Sequence, residues 1–296
     1  MSHWDAISTH ISTATQAPFS IARRTAKAGG FTSQVWHVTG TDGREFLVKI
    51  NSADKAVMFD TECAGLAALA ATSTVATPRV ITHGVADGRV FLVLNHLDLH
   101  SRGDARLLGT QLAALHRVHS PQFGWEHDNF LGLTPQQNAW SNDWMEFWRE
   151  QRLGFQLELA ARNGYGGALL KMGQSLVDRL PELLAGHHPV PSLLHGDLWG
   201  GNHAYLADGS PVIFDPATYY GDREADIAMT ELFGGFEPGF YAAYQAAYPL
   251  DFGYEKRKTL YNLYHILNHC NMIGSEYVPQ AEGMMTRLLT ELRRQS

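Results

Sequence analysis

Two short segments in the second half of the chain carry an Asp, an Asn and a second Asp at spacings that could do chemistry. Asp197 precedes Asn202 by four intervening residues, and Asp215 directly follows the apolar run 212–214. Phosphoryl transfer to an alcohol needs a carboxylate that accepts the hydroxyl proton, and oxygen ligands that hold magnesium on the triphosphate. Each residue alone is compatible with an ordinary turn or strand end. Together, in this order, they predict an ATP-dependent kinase site.

A lysine and a glutamate in the first half of the chain could complete such a site. Lys49 lies in the apolar run 46–50, where strand alternation places it on the opposite face from its two neighbours. A lysine in this setting is often a solvated edge residue. Kinase folds, however, use a strand lysine on the α- and β-phosphates and a helix glutamate that holds it. Glu62, on the next predicted helix, supplies that partner.

The elements that must position these residues differ between the two halves. Alternating apolar runs separated by Gly and Asp turns predict a small antiparallel sheet, with strands at 19–27, 34–39, 45–50, 79–85 and 89–94. One helix, 56–71, interrupts it. Helical patterns then follow at 104–118, 142–161, 168–184 and 224–233, with two more from 254 to the end, around a β-rich island at 190–214. The pattern favours an α+β, two-lobed protein-kinase-like fold, with a nucleotide-binding lobe at 1–95 and a helical catalytic and substrate lobe at 96–296.

Composition narrows the classes of partner. Acidic residues outnumber basic ones by 30 to 23, and the net charge of -7 offers no general attraction to nucleic acid or to anionic membranes. Cys63 and Cys270 form no close pair, which argues against a disulfide framework or a cysteine-rich zinc site. No run is long and apolar enough to span a membrane. We therefore expect a cytoplasmic enzyme, monomeric by default, that takes a small neutral or cationic substrate.

Three segments carry a resemblance to a known family. They are the string His-Gly-Asp-Leu-Trp-Gly-Gly-Asn at 195–202, Phe-Asp-Pro-Ala at 214–217 and the segment 220–226, and the middle region 123–144 extends the likeness over nearly the whole chain. The sequence resembles the fructosamine kinase, or ketosamine-3-kinase, family. The resemblance implies that Asp197 is the catalytic base and that Asn202 and Asp215 are magnesium ligands. It also implies that Lys49 and Glu62 are the phosphate-holding pair.

The rest of the nucleotide site is harder to place from sequence. Protein kinases close over ATP with a G-x-G-x-x-G loop, whereas segment 28–33 has only two glycines and is also typical of a plain hairpin turn. If this loop covers the phosphates, we expect the donors to be backbone amides and hydroxyls of Gly30, Phe31, Thr32 and Ser33. By fold analogy alone, the backbone that contacts adenine belongs to Asn95, His96 and Leu97.

Aromatic residues flank the predicted base on its acceptor side. Trp199, Tyr219 and Tyr220 could line a sugar and a cationic amine, although aromatic residues are more often core. His195 is expected to support the catalytic loop by donating to its backbone. Asp226 could cap a helix or brace that loop, and the resemblance favours bracing.

One helix suggests a metal site as an alternative. His265 and His269 are spaced i, i+4, but no Glu follows His265 as a metalloprotease helix requires. A polar network that includes Tyr261 and Asn268 is the better interpretation.

The residues predict a kinase that transfers the γ-phosphate of ATP with Mg²⁺, and the resemblance implies that the acceptor is the 3-hydroxyl of a ketosamine. The acceptor is a small molecule or a protein-bound glycation adduct, and a repair role is implied by the resemblance. Two rivals stay open: a small-molecule kinase of the aminoglycoside or choline type, and a nucleotide-binding module without transfer activity. The sequence does not fix the sugar, the amine or the oligomeric state.

Overall fold

A computed structural model describes residues 2–27 and 32–294 of the chain. The strands are β1 Ile21–Lys27, β2 Gln34–Gly40, β3 Glu45–Ser52, β4 Val80–Ala86, β5 Arg89–Asn95, β6 Asn129–Leu131, β7 Thr134–Gln136, β8 Ser192–Leu194, β9 His203–Tyr205, β10 Pro211–Ile213 and β11 Tyr219–Gly221. The helices are α1 His3–Thr15, α2 Ala56–Ala71, α3 Ala105–Leu115, α4 Trp144–Trp148, α5 Phe155–Arg162, α6 Gly167–Asp178, α7 Leu180–Leu183, α8 Glu224–Leu232, α9 Pro238–Ala247, α10 Tyr254–Met272 and α11 Val278–Arg293. A π-helical stretch, Arg149–Gly154, joins α4 to α5.

The chain forms two compact units. Unit 1 comprises Met1–Asp104 and His203–Pro216, and unit 2 comprises Ala105–Asn202 and Ala217–Ser296. The β9–β10 hairpin thus belongs with the N-terminal residues. The functional division that the sequence predicts after residue 95 stays a prediction, because this grouping reports contacts and not roles.

Unit 1 is built on a five-stranded antiparallel sheet in the order β1-β2-β3-β5-β4. Strand alternation sends Phe46 and Val48 of β3 into a core with Ile7 and Ile11 of α1. The opposite face carries Leu47 and packs against α2 through a second core, whose buried members are Phe59, Leu66, Val90, Leu92 and Leu94. Lys49 is on this second face, since it alternates with Val48.

Helix α1 was not predicted from the sequence. It begins with a capping box, in which the Asp5 amide donates to Ser2 Oγ and the Ser2 amide donates to the Asp5 carboxylate. Ile7 and Ile11 follow at i, i+4 and are fully buried. The helix therefore closes one face of the sheet.

Unit 2 is mostly helical. Helix α3 packs on α9, and α10 packs on α8, α5 and α11. The short pair β8–β11 is antiparallel, with Leu194 opposite Tyr219, and it fixes the chain on both sides of the predicted catalytic loop. Across the described residues, no helix has both the length and the apolar character needed to cross a membrane.

Candidate active site

Lys49 is held between two carboxylates within unit 1. Its Nζ lies 2.6 Å from Glu62 Oε1 and 2.6 Å from Asp215 Oδ1, and the residue is only 8% exposed. Burial opposes the ammonium charge, but Asp215 and Glu62 outweigh it and raise the pKa of Lys49. The lysine is therefore charged and fixed in direction, as a phosphate-binding cation needs to be.

Asp215 follows β10 in an unusual backbone conformation. Its φ of 57° lies in the left-handed region, which is uncommon for residues other than glycine. The side chain is 48% exposed. Because Oδ1 accepts from Lys49, Oδ2 is the oxygen that could bind a metal ion.

The predicted catalytic loop lies in unit 2 and starts at a position that only glycine can fill. Gly196 has a φ of 83°, and a Cβ there would lie 2.0 Å from the carbonyl oxygen of Ala217. Further along the loop, Asn202 Nδ2 donates to the Asp197 carbonyl oxygen at 2.9 Å and to Asp197 Oδ2 at 3.1 Å. These bonds fix the amide, so its Oδ1 is the atom that could bind a metal ion.

Asp226 braces this loop from helix α8. Its Oδ2 accepts from the His195 amide at 2.7 Å, and its Oδ1 accepts from the Gly196 amide at 2.8 Å. His116 Nε2 lies 3.2 Å from Oδ2, and His116 Nδ1 lies 2.7 Å from Tyr244 Oη. Burial acts to raise the pKa of Asp226, but His116 and the loop amides outweigh it and lower the pKa. Sequence reasoning missed His116, which is fully buried at the end of α3.

His195 contacts the backbone of the predicted catalytic loop through one ring nitrogen. The Asp197 amide donates to His195 Nδ1 at 3.2 Å, so the ring accepts at this atom. The expected donation by His195 to the loop backbone stays a prediction. Neutral imidazole has one acceptor nitrogen, and the bond therefore assigns the ring proton to Nε2. The ring is fully buried. It supports the backbone directly at the predicted base.

The predicted nucleotide-loop residues are only partly described. Gly30 and Phe31 lie outside the described residues. The Thr32 carbonyl accepts from Asn51 Nδ2 at 2.7 Å, and Ser33 is half-buried beside it. This bond ties the end of the loop to β3.

The predicted adenine-binding residues lie at the end of β5 and directly after it. Asn95 pairs with Arg79 through two hydrogen bonds, amide to carbonyl at 3.0 Å and Arg79 amide to Asn95 Oδ1 at 2.6 Å. His96 and Leu97 are half-buried. Their contact with adenine stays a prediction.

The three predicted acceptor residues differ in exposure. Trp199 is 38% exposed and meets Phe233 edge-on at a centroid distance of 6.1 Å. Tyr220 is half-buried beside Trp125. Tyr219, by contrast, is only 3% exposed, and the Arg152 guanidinium lies 4.1 Å from its ring centroid. Tyr219 therefore presents no face to a substrate here and packs in the core.

The helix with two histidines forms a polar network, as the sequence favours. His269 Nδ1 lies 2.7 Å from the His265 carbonyl oxygen, and Tyr261 donates to Asp222. Burial, followed by the neighbouring His269, lowers the pKa of His265 to about 3. Within the described ranges, the clusters with metal-ligand geometry are His37–Glu45–His96 and His187–Asp222–Glu224, and neither involves this pair.

The donor atoms fit a hard cation. Asn202 offers an amide oxygen, and Asp215 offers a carboxylate oxygen. Magnesium prefers oxygen ligands, few carboxylates and retained waters. Each of the two residues, taken by itself, therefore offers a donor atom that suits Mg²⁺.

Comparisons with known proteins identify the family. The family model described as "Fructosamine kinase" matches residues 3–291. This chain belongs to the fructosamine kinase family. A Synechocystis protein named probable ketoamine kinase is 46% identical over 291 residues, covering 97% of each chain. The chloroplastic protein-ribulosamine 3-kinase of Arabidopsis thaliana is 43% identical, covering 86% of this chain and 78% of the relative.

Solved structures share the fold of this chain. A structure from Haemophilus somnus, described as a fructosamine-3-kinase, superimposes with a TM-score of 0.89 at 31% identity and covers 97% of each chain. An aminoglycoside phosphotransferase, APH(4)-Ia, gives a TM-score of 0.64 at 13% identity, a likeness of fold alone. The predicted α+β, kinase-like fold class and the family resemblance are both confirmed.

Proposed function

We propose that this member of the fructosamine kinase family uses ATP to phosphorylate the 3-hydroxyl of ketosamines. The single observation that carries the proposal is the family match over nearly the whole chain, in a sequence that keeps all five kinase residues. The relatives named ketoamine kinase and protein-ribulosamine 3-kinase support this class of acceptor.

In the proposed reaction, Asp197 accepts the proton of the acceptor hydroxyl. The hydroxyl oxygen then bonds to the γ-phosphorus, and the bond from that phosphorus to the β,γ-bridging oxygen breaks to release ADP. Lys49, aligned by Glu62, holds the α- and β-phosphates. Asn202 and Asp215 would hold Mg²⁺, which when bound neutralises charge on the phosphates.

On the acceptor side, Trp199 is the exposed aromatic residue that we assign to the sugar and its amine. A ring face attracts a cationic amine, and this contact strengthens where water is excluded. Tyr220 is the second candidate. Protein-bound adducts are included in the proposal because one relative is named for a protein substrate. We also propose a monomer; a cytoplasmic location is the default, although that same relative is chloroplastic.

The deciding experiment compares wild type with Asp197→Asn. Turnover is measured with fructosyl-lysine, ribulosyl-lysine, an aminoglycoside and choline, and nucleotide binding is followed by calorimetry. We expect turnover on the ketosamines, a fall in kcat of roughly 10²- to 10⁴-fold in the variant and little change in ATP affinity. Asp208→Asn, in the exposed turn between β9 and β10, is the matched control.

Three outcomes would contradict the proposal in different ways. An unchanged kcat in Asp197→Asn would remove this residue as the base. Turnover on the aminoglycoside or choline alone would replace the ketosamine assignment. Nucleotide binding without transfer to any acceptor would favour the binding module.

A further inference from the structure

Two imidazoles and a carboxylate converge on one face of the sheet in unit 1. His37 Nε2 lies 3.4 Å from Glu45 Oε1, and His96 Nδ1 lies 3.4 Å from Glu45 Oε2. The two rings stack at a centroid distance of 4.2 Å. The three residues come from β2, β3 and the segment after β5, so the sheet itself holds them together.

The spacing fits a small transition-metal ion. The three ligand atoms all lie within 4.8 Å of one another. Zinc binds nitrogen and carboxylate oxygen at about 2.0–2.2 Å, and two such bonds at a tetrahedral angle place their donors about 3.4 Å apart. Three protein ligands leave a fourth position for water.

One ring nitrogen of the cluster also favours metal ligation. Among the described residues, the buried His37 Nε2 has no hydrogen-bond partner, although it points at Glu45. A metal ion bound there would give this nitrogen a partner.

The other cluster with suitable spacing is a weaker candidate. In His187–Asp222–Glu224, the Glu224 carboxylate is held by Arg257 at 2.6 and 2.8 Å, and Asp222 accepts from Tyr261. Its charges are already matched within the protein.

The cluster of His37, Glu45 and His96 lies close to residues that we expect to bind the nucleotide. Glu45 is on the same face of β3 as Lys49, four residues away, or about 13 Å along the strand. His96 is also one of the residues predicted to contact adenine. A metal ion here would fix the His96 side chain and the backbone that carries it.

We propose that His37, Glu45 and His96 bind one transition-metal ion of the Zn²⁺ type, and that its occupancy changes the affinity for nucleotide. Imidazole and carboxylate ligands suit Zn²⁺, Co²⁺ and Ni²⁺, whereas Mg²⁺ prefers oxygen alone. The second statement rests on the proposed function, and the first does not.

The site is tested by titrating the full chain with Co²⁺ and Zn²⁺ and following Co²⁺ d–d absorption and binding heat. We expect one site in wild type, with at least about 10-fold weaker binding in His37→Gln and in Glu45→Gln. The matched control is His83→Gln. His83 also lies beside a carboxylate, at 3.3 Å from Asp60, but this pair is not one of the three-residue clusters among the described residues. Circular dichroism checks that each variant folds. The site would be overturned if both cluster variants bound Co²⁺ and Zn²⁺ as tightly as wild type does, or if wild type bound neither ion.

The coupling is tested by calorimetry of MgADP binding with and without Zn²⁺. Zn²⁺ should change the affinity of wild type for MgADP and leave that of His37→Gln unchanged. An equal effect in both proteins would overturn the coupling, because it would place Zn²⁺ on the nucleotide itself. If wild type bound no nucleotide, the proposed function would be refuted. The Co²⁺ titration would still show whether the metal site exists.

Discussion

Replacement of Asp226 by Asn changes the shape of the side chain little and removes its charge. The carboxylate is 1% exposed and accepts from two loop amides and from His116. An amide has one oxygen, so its NH₂ group must face either the Gly196 amide or the pair formed by the His195 amide and His116. One donor at least is left buried without an acceptor.

The magnitude follows from those bonds. A hydrogen bond to a charged acceptor contributes about 1.5–3 kcal/mol, and an unsatisfied buried donor costs about 1–3 kcal/mol. Easier burial of the neutral amide offsets part of this loss. We therefore expect Asp226→Asn to lose about 2–4 kcal/mol of unfolding free energy. Because the same amides set the position of Asp197, a shift of about 1 Å in the loop would lower kcat by roughly 10²-fold.

The assay pairs urea unfolding with initial rates on a ketosamine. Asp222→Asn is the matched control: Asp222 is also buried and hydrogen-bonded, but its partners are His187, Tyr261 and the Glu224 amide, not the catalytic loop. It should lose stability without a matching loss of kcat. If Asp226→Asn keeps both its stability and its kcat, the hypothesis that Asp226 positions the catalytic loop is wrong. If only stability falls, Asp226 has a structural role alone.

Three further outcomes are expected. Lys49→Met should lower kcat/KM more than Glu62→Gln, because the lysine can still reach phosphate without its partner; steady-state kinetics showing the reverse order would contradict these roles. Activity should be lost in excess EDTA and restored by Mg²⁺, and Asp215→Ala should abolish turnover and weaken metal-nucleotide binding measured by calorimetry; full turnover in EDTA would remove the metal. The unfolded chain protonates His265 near pH 6.5 and the folded chain only near pH 3, so stability should fall as pH drops between these values, by at most about 1.4 kcal/mol per pH unit. Urea unfolding across mildly acidic pH should show a flatter profile for His265→Gln, and an unchanged slope would assign the effect to other groups.

Local patterns predicted most of the fold, and they supplied the candidate site residues, whose roles stay predictions. The alternation around Lys49 and the helix around Glu62 are short-range signals, and both elements form where expected. Helix α1 was missed although Ser2 and Asp5 have the spacing of a capping box. Strand alternation could also have shown that Tyr219 and Tyr220, as neighbours on β11, cannot both face the acceptor.

Long-range partners could not be read from one sequence. His116 meets Asp226 across 110 residues, and Lys49 meets Asp215 across 166, with no spacing rule to connect them. The direction of the His195 hydrogen bond depends on which ring nitrogen carries the proton, which residue type does not determine. These contacts come from tertiary packing, and only the structure supplies them.

The make-up of unit 1 has a consequence for how the protein is synthesised. Residues 1–104 of unit 1 are synthesised well before the second segment of the same unit, His203–Pro216. The end of that segment lies more than one hundred residues after residue 104. At ordinary translation rates this delay is roughly 5–20 s. During that time the N-terminal sheet can form with α2, but Lys49 has only Glu62 beside it and Asp215 does not yet exist. In the nascent chain, Lys49 can therefore pair with one carboxylate, instead of the two that it contacts in the folded protein.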